Sequence, residues 1–204
     1  KFGNESWNDS IKKLHNPVNV GDFKSNFYRR LAFDEILASY LISSEIRKKI
    51  KKIKKKEKKI SDESKEKIIS KLSYKLTNDQ KKSLTQINED LTSKNKMFRL
   101  LQGDVGSGKT IVALISAMNV IKSGYQVAFM APTEILCRQH YNLAKKIYSN
   151  KIKIEILTGK TDYYEKKRIN EEISSKKTNI VFGTHSLFQK KIKFENLGFI
   201  IIDE

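Results

Sequence analysis

Between Met97 and Thr110 the chain reads MFRLLQGDVGSGKT, an apolar run followed at once by Gly103-x-x-x-x-Gly108-Lys109-Thr110. Residue types at this spacing suit a phosphate ligand. Gly103, Gly106 and Gly108 let the backbone take positive φ and come close to a ligand, so successive N–H groups can form a concave nest for phosphate oxygens. Lys109 then sets a point charge beside the β and γ phosphates, and the Thr110 hydroxyl is a ligand for Mg²⁺. Ile111 to Ile121 carry apolar side chains at helical spacing, which puts the phosphates at a helix N-terminus where the dipole favours anions. The alternative is a glycine-rich turn that binds nothing. Because strand, loop and helix follow in the order the motif needs, a nucleotide site is the expectation.

Two further places carry matching chemistry. Asp203-Glu204 ends the apolar run Gly198 to Ile202. In phosphate-loop enzymes an Asp at such a strand end holds Mg²⁺ and a neighbouring carboxylate polarises the attacking water; the plain alternative is an acidic strand terminus. The sequence stops there, so a truncated sequence is expected. Upstream, Thr77 and Gln80 form the T-x-x-Q of a capping box, yet a Gln amide can also donate to and accept from the N7 and N6 edge of adenine. The residues leave both open, and adenine contact is the expectation.

These groups need a frame. Strands are predicted at about 97–102, 126–131, 153–157, 179–183 and 198–202, and helices at about 78–91, 109–123, 134–149 and 162–174. The runs VAFMA, NIVFG and FIIID are apolar without strict alternation, which predicts strands buried on both faces in a parallel sheet covered by helices. Ligands bind beyond the carboxyl ends of such strands. That directs attention to Pro132-Thr133, Thr158-Gly159 and Thr184-His185, where hydroxyls and close backbone amides could meet phosphate oxygens; taken singly, each is also an ordinary turn or cap.

Ahead of the sheet, residues 1–22 are polar and irregular, with a short helix predicted over 6–14. From Asp22 to about Lys59 the apolar residues recur at steps of three to five, which predicts a long helix with a break near Ser43-Ser44. Arg47 to Lys59 holds ten basic residues, two isoleucines and one acid. We read it as a solvated face rather than a helix laid along nucleic acid. Ser61-Asp62-Glu63 then restarts a helix.

Composition narrows the classes. No run approaches the roughly 20 apolar residues of a membrane span, no signal-peptide pattern is seen, and the single Cys137 excludes an internal disulfide framework; no membrane partner and a cytoplasmic location are expected. The net charge of +18 suits a polyanion partner, but only six of the 41 basic residues are Arg, so part of the charge reads as lysine bias. No N/T-K-x-D motif is present, which argues against a GTPase.

Taken together, Gln80, LLQGDVGSGKT (Leu100 to Thr110), MAPTEIL with Gln139-His140, LTG (Leu157 to Gly159), GTHSL (Gly183 to Leu187) and IIIDE (Ile200 to Glu204), in that order, resemble the front half of a superfamily 2 helicase motor. The wording is closest to the RecG family of ATP-dependent DNA helicases, which remodel branched DNA. RRLAFDEILA (Arg29 to Ala38) resembles the segment joining that family's wedge domain to its motor, and Leu14-His15-Asn16-Pro17 the end of the sequence before it. Transcription-repair coupling factors are the nearest rival, but Ser107 and APTEIL favour the RecG pattern.

The resemblance implies a P-loop, RecA-like α/β lobe with ATP and Mg²⁺ as cofactors and branched duplex DNA as partner, in a protein acting as a monomer. It divides the chain into the end of a wedge region (1–22), a long basic connecting helix (23–60), helices leading into the motor (61–94) and an incomplete first motor lobe (95–204). It implies that Gln80 reads adenine and that Tyr74 stacks on it, where the family usually has Pro-Phe and this chain has Ser73-Tyr74. It also implies that Gly106, Ser107, Gly108, Lys109 and Thr110 bind phosphates and Mg²⁺, that Asp203 supports the metal, and that Glu204 serves as base. Pro132, Thr133, Thr158, Gly159, Thr184 and His185 are expected on the DNA side. Such a fragment should bind ATP without unwinding DNA alone. A nucleic-acid-binding module with a vestigial nucleotide site is the competing expectation.

Overall fold

The computed structural model describes residues 6–16, 24–52, 66, 68–188 and 192–203. The chain divides into two units, Lys1–Lys54 and Lys55–Glu204. Pro17, the lysine run after Lys52, the Ser61-Asp62-Glu63 cap and Glu204 lie outside the described residues.

In the first unit, α1 (Trp7–His15) starts at Ser6, whose hydroxyl accepts from the Asp9 amide at 3.1 Å. It packs on α2 (Asn26–Lys52), a single helix of 27 residues, about 40 Å long. The break expected at Ser43-Ser44 is absent. Serine costs an α-helix only a few tenths of a kcal/mol, and no Gly or Pro interrupts residues 26–52. An Arg30–Asp34 pair at 2.9 Å spans one helical turn.

The second unit is a parallel α/β layer. Its elements are α3 (Asn78–Thr92), α4 (Lys109–Lys122), β1 (Gln126–Met130), α5 (Glu134–Ile147), β2 (Ile154–Leu157), α6 (Tyr163–Ser174), β3 (Ile180–Gly183), a short 3₁₀ turn (His185–Phe188) and β4 (Leu197–Ile202). The four strands pair in the order β2-β3-β1-β4, all parallel. Met130 pairs with both Gly183 and Ile202, and Leu157 with Gly183. All four strands therefore end at one level, and the loops that leave them share one edge.

The core explains the helices. In α4 every residue from Ile111 to Ile121 except Ala113 is buried, as expected of a helix apolar all round; it packs against α3, β1 and β4. Leu84, Ile87 and Leu91 are the buried side of α3. Phe129 of β1 and Phe182 of β3 stack with centroids 5.0 Å apart and are both almost fully buried. Two polar groups that enter this core are satisfied by backbone: the Tyr148 hydroxyl donates to the Leu114 carbonyl at 2.7 Å, and the Gln126 amide donates to the Ile173 and Thr178 carbonyls. Burial pushes the Cys137 thiol up to about 11, so it remains protonated and inert at neutral pH.

Two expectations need correction. Strands β1 and β3 are buried throughout, but β4 is not: Ile200 and Ile202 are 50% and 60% exposed. The reason is position, because β4 is the edge of the sheet and its described neighbour is β1 alone. The predicted strand at 97–102 is irregular chain outside the ladder. Arg99 ties it instead to α3, donating to Asp90 at 2.7 Å and to Gln86 at 3.0 Å. Among the described residues, no helix is long and apolar enough to cross a membrane.

Candidate functional site

The phosphate loop runs from Gly103 into the first turn of α4. Gly106 and Gly108 have φ of +80° and +82°, conformations that residues with a Cβ rarely adopt. At Gly108 a Cβ would also collide with the Gln80 side-chain nitrogen. Gly108 is the N-cap of α4, and no side chain caps that helix. The Lys109 and Thr110 amides that open α4 are thus left for another acceptor, while the Ile111 amide donates to the Gly108 carbonyl at 3.0 Å. Lys109 lies over the loop, its Nζ donating to the carbonyls of Gly103 at 2.7 Å and Asp104 at 2.9 Å. Ser107 closes the turn with its amide on the Asp104 carbonyl.

Gln80 is joined to this loop. Its Oε1 accepts from the Thr77 amide at 3.0 Å while the Thr77 hydroxyl accepts from the Gln80 amide, so the capping box is formed. Its Nε2 donates to the Ser107 carbonyl at 2.8 Å. The side chain therefore both caps α3 and braces the loop, with one N–H and one lone pair still uncommitted. Two substitutions separate these duties. Gln80→Glu keeps the acceptor for Thr77 but loses the donor for Ser107. We expect its urea midpoint to stay near wild type, with faster amide exchange in the loop. Gln80→Ala loses both and should cost about 1 kcal/mol as well. Equal loop exchange in wild type and Gln80→Glu would show that the brace does nothing.

Asp203 stands at the end of β4, its amide bonded to the Met130 carbonyl at 2.9 Å. It shares a cavity of about 270 Å³ with Lys109 and Thr110, whose other walls are Arg99 and mainly apolar residues of the 97–102 segment, β4 and the neighbouring helices and strand. The Asp203 carboxylate also meets a group that sequence reasoning had left without a role. His140 Nε2 lies 2.6 Å from its Oδ2. His140 was visible only as part of the Gln139-His140 pattern, and a partner 63 residues away has no local signal.

The remaining residues divide. Tyr74 is half exposed, three residues ahead of the capping box. Thr133 caps α5, accepting from the Leu136 amide at 3.3 Å; Pro132 beside it is half-buried. Gly159 and His185 are exposed, and the Gly159 carbonyl accepts from Lys166 at 3.1 Å. Thr184 lies 3.5 Å from Ser186, hydroxyl to hydroxyl. Thr158 is buried, and its hydroxyl has no partner among the described residues. The flush strand ends bring all of these except Tyr74 to the edge that carries Asp203.

A parallel α/β unit with a phosphate loop at the head of an uncapped helix, and an acid at a strand end on the wall of the same cavity, defines a P-loop nucleotide-binding lobe. The chain belongs to the DEAD/DEAH box helicase family, which it matches over residues 77–204. Within that family its similarity runs to RecG. It is 40% identical to the ATP-dependent DNA helicase RecG of Aquifex aeolicus over 95% of this chain and 25% of that protein. It is also 40% identical to the Borreliella burgdorferi RecG over its whole length and 29% of that protein, and 34% identical to the Escherichia coli RecG over 96% and 29%. A solved structure of RecG bound to a three-way DNA junction superimposes with a TM-score of 0.78 at 40% identity, covering 88% of this chain and 25% of the other. The chain thus spans about a quarter to three tenths of the length of these relatives.

Proposed function

We propose that this chain is the nucleotide-binding part of a RecG-type, ATP-dependent DNA helicase, which as a whole protein hydrolyses ATP to remodel branched duplex DNA. The carrying observation is the joined loop: left-handed glycines, Lys109 curled over their carbonyls, and Gln80 bridging from the N-terminus of α3.

In this reading ATP phosphates take the amides at the head of α4 and draw Lys109 Nζ off the Gly103 and Asp104 carbonyls. Gln80 presents its uncommitted N–H and lone pair to adenine, and Tyr74 stacks on the base. A divalent cation fits what is present. Thr110 and Asp203 offer hard oxygen donors on one cavity, as suits Mg²⁺, which takes one or two protein oxygens plus phosphates and water. Bound there, Mg²⁺ would neutralise phosphate charge. Glu204, beyond the described residues, is the base that would orient the attacking water.

Pro132, Thr133, Gly159, Thr184 and His185 form the DNA face of the lobe, set by backbone amides and hydroxyls at the strand ends. Thr158 belongs to it by its place at the end of β2, its hydroxyl being buried and its amide donating to the Thr161 hydroxyl at 2.9 Å. One copy suffices, in keeping with a monomeric motor. Turnover by the isolated chain should be very slow, since an arginine finger from outside such a lobe is worth about 10³ to 10⁵ in rate.

The test is linkage. DNA affinity of the chain is titrated against salt with and without ATP and Mg²⁺. A motor lobe should shift its DNA affinity severalfold on binding ATP, and should prefer ATP to GTP by calorimetry. DNA binding that follows the same salt line with and without ATP would instead describe a basic module with a vestigial site.

A further inference from the structure

His140 and Asp203 sit on different elements, α5 and the end of β4, and meet at 2.6 Å. The ring has little freedom. It is 8% exposed and lies against Phe129 with centroids 5.0 Å apart, and Phe129 in turn stacks on Phe182. An ionised carboxylate only accepts, so Nε2 carries the proton and donates to Oδ2. Among the described residues Oδ1 of Asp203 accepts nothing, and Asp203 lines the cavity that holds Thr110 and Lys109.

We propose that His140 is a positioning residue for the nucleotide site: its Nε2–H clamps Asp203 Oδ2 and so presents Oδ1 to the divalent cation at a fixed angle. This rests on the nucleotide reading above. The physical case is geometric. An aspartate at the end of an edge strand has rotamer freedom, and a side chain less than one-third exposed does not by itself fix which oxygen faces the cation. A ring packed against Phe129, itself stacked on Phe182, transfers the order of the core to that carboxylate. Partners that orient a ligating carboxylate typically change metal affinity 10- to 100-fold when removed. The bland alternative is a core histidine whose N–H has found an acceptor.

The experiment uses Mn²⁺ as an EPR-visible cation with the 204-residue chain. Two quantities are measured for wild type, His140→Leu and His140→Gln: Mn²⁺ affinity in the presence of ATP, and ATP affinity in EDTA. We expect His140→Leu to weaken Mn²⁺ at least tenfold while metal-free ATP binding stays within twofold. His140→Gln, which can place an amide N–H near the same point, should recover most of the loss. Unchanged Mn²⁺ affinity in His140→Leu, or an equal loss of metal-free ATP binding, overturns the proposal in favour of a packing role.

Should His140→Leu fail to fold, the wild-type His140 ring ¹⁵N resonances decide. They should move when Mg²⁺ is added to the ATP-bound chain and stay still in Asp203→Asn; no movement in wild type overturns the clamp. A wild-type chain that binds neither ATP nor Mn²⁺ overturns the nucleotide reading, and this inference with it.

Discussion

Lys109→Ala should remove nucleotide binding from this chain while leaving its melt almost unchanged. Lys109 is half-buried over the loop and makes two bonds to loop carbonyls, at 2.7 and 2.9 Å. On ligand binding the same two N–H donors would exchange neutral carbonyls for phosphate oxygens. Hydrogen bonds to charged groups are worth about 1.5–3 kcal/mol each. Two of them lost correspond to about 3–6 kcal/mol, or roughly 10² to 10⁴ in affinity. The loop itself loses little, because its turn is set by Gly106, Gly108 and the Ser107 amide. Calorimetry with ATP and Mg²⁺, paired with a thermal scan, checks both halves. An alanine variant that still binds ATP within threefold of wild type would refute the phosphate-loop assignment, whatever the sequence says.

The largest stability effect is expected at Phe129. Its ring is 1% exposed, stacks on Phe182 and meets the His140 ring at a tilt of 42°. Truncation to alanine leaves a cavity at the centre of the sheet that parallel strands and close-packed helices cannot collapse, at a cost of about 3–5 kcal/mol. Against a typical total of about 5–15 kcal/mol, the unit Lys55–Glu204 would lose a large share of its stability. A urea titration followed by circular dichroism should show the midpoint falling with little change in slope. A loss below about 1 kcal/mol would mean that Phe129 is less central to the core than its burial indicates.

The sequence made most of the lobe legible, and the exceptions share a cause. Strands β1, β2 and β3 and helices α3 to α6 lie where periodicity and turn residues put them, since each is specified by its own residues: Thr77, Thr133 and Asp162 cap α3, α5 and α6 through local hydroxyls and carboxylates. The phosphate loop was readable because glycine, lysine and threonine at fixed offsets have few other uses. What went wrong depends on neighbours. FIIID has the composition of a central strand, but burial of Ile200 and Ile202 is decided by what lies beside β4. The 97–102 segment has strand residues, yet in this structure Arg99 holds it to α3. A break near Ser43-Ser44 is expected of so long a helix, yet α2 runs through both serines. His140 was the most consequential miss. Its partner is fixed only when α5 folds back on the sheet and brings residue 140 to residue 203.

The common level of the strand ends has a mechanical consequence. With Leu157, Gly183, Met130 and Ile202 in register across four parallel strands, the loops after them are mounted on one stiff plate. Hydrogen-bonded strands do not slide a fraction of a residue, so these loops cannot move separately by shear within the sheet. If the proposed motor role holds, force from the nucleotide would pass through the plate undivided, and displacement would appear only where the plate bears on a second body. A lobe built in this way serves as an anvil rather than a spring.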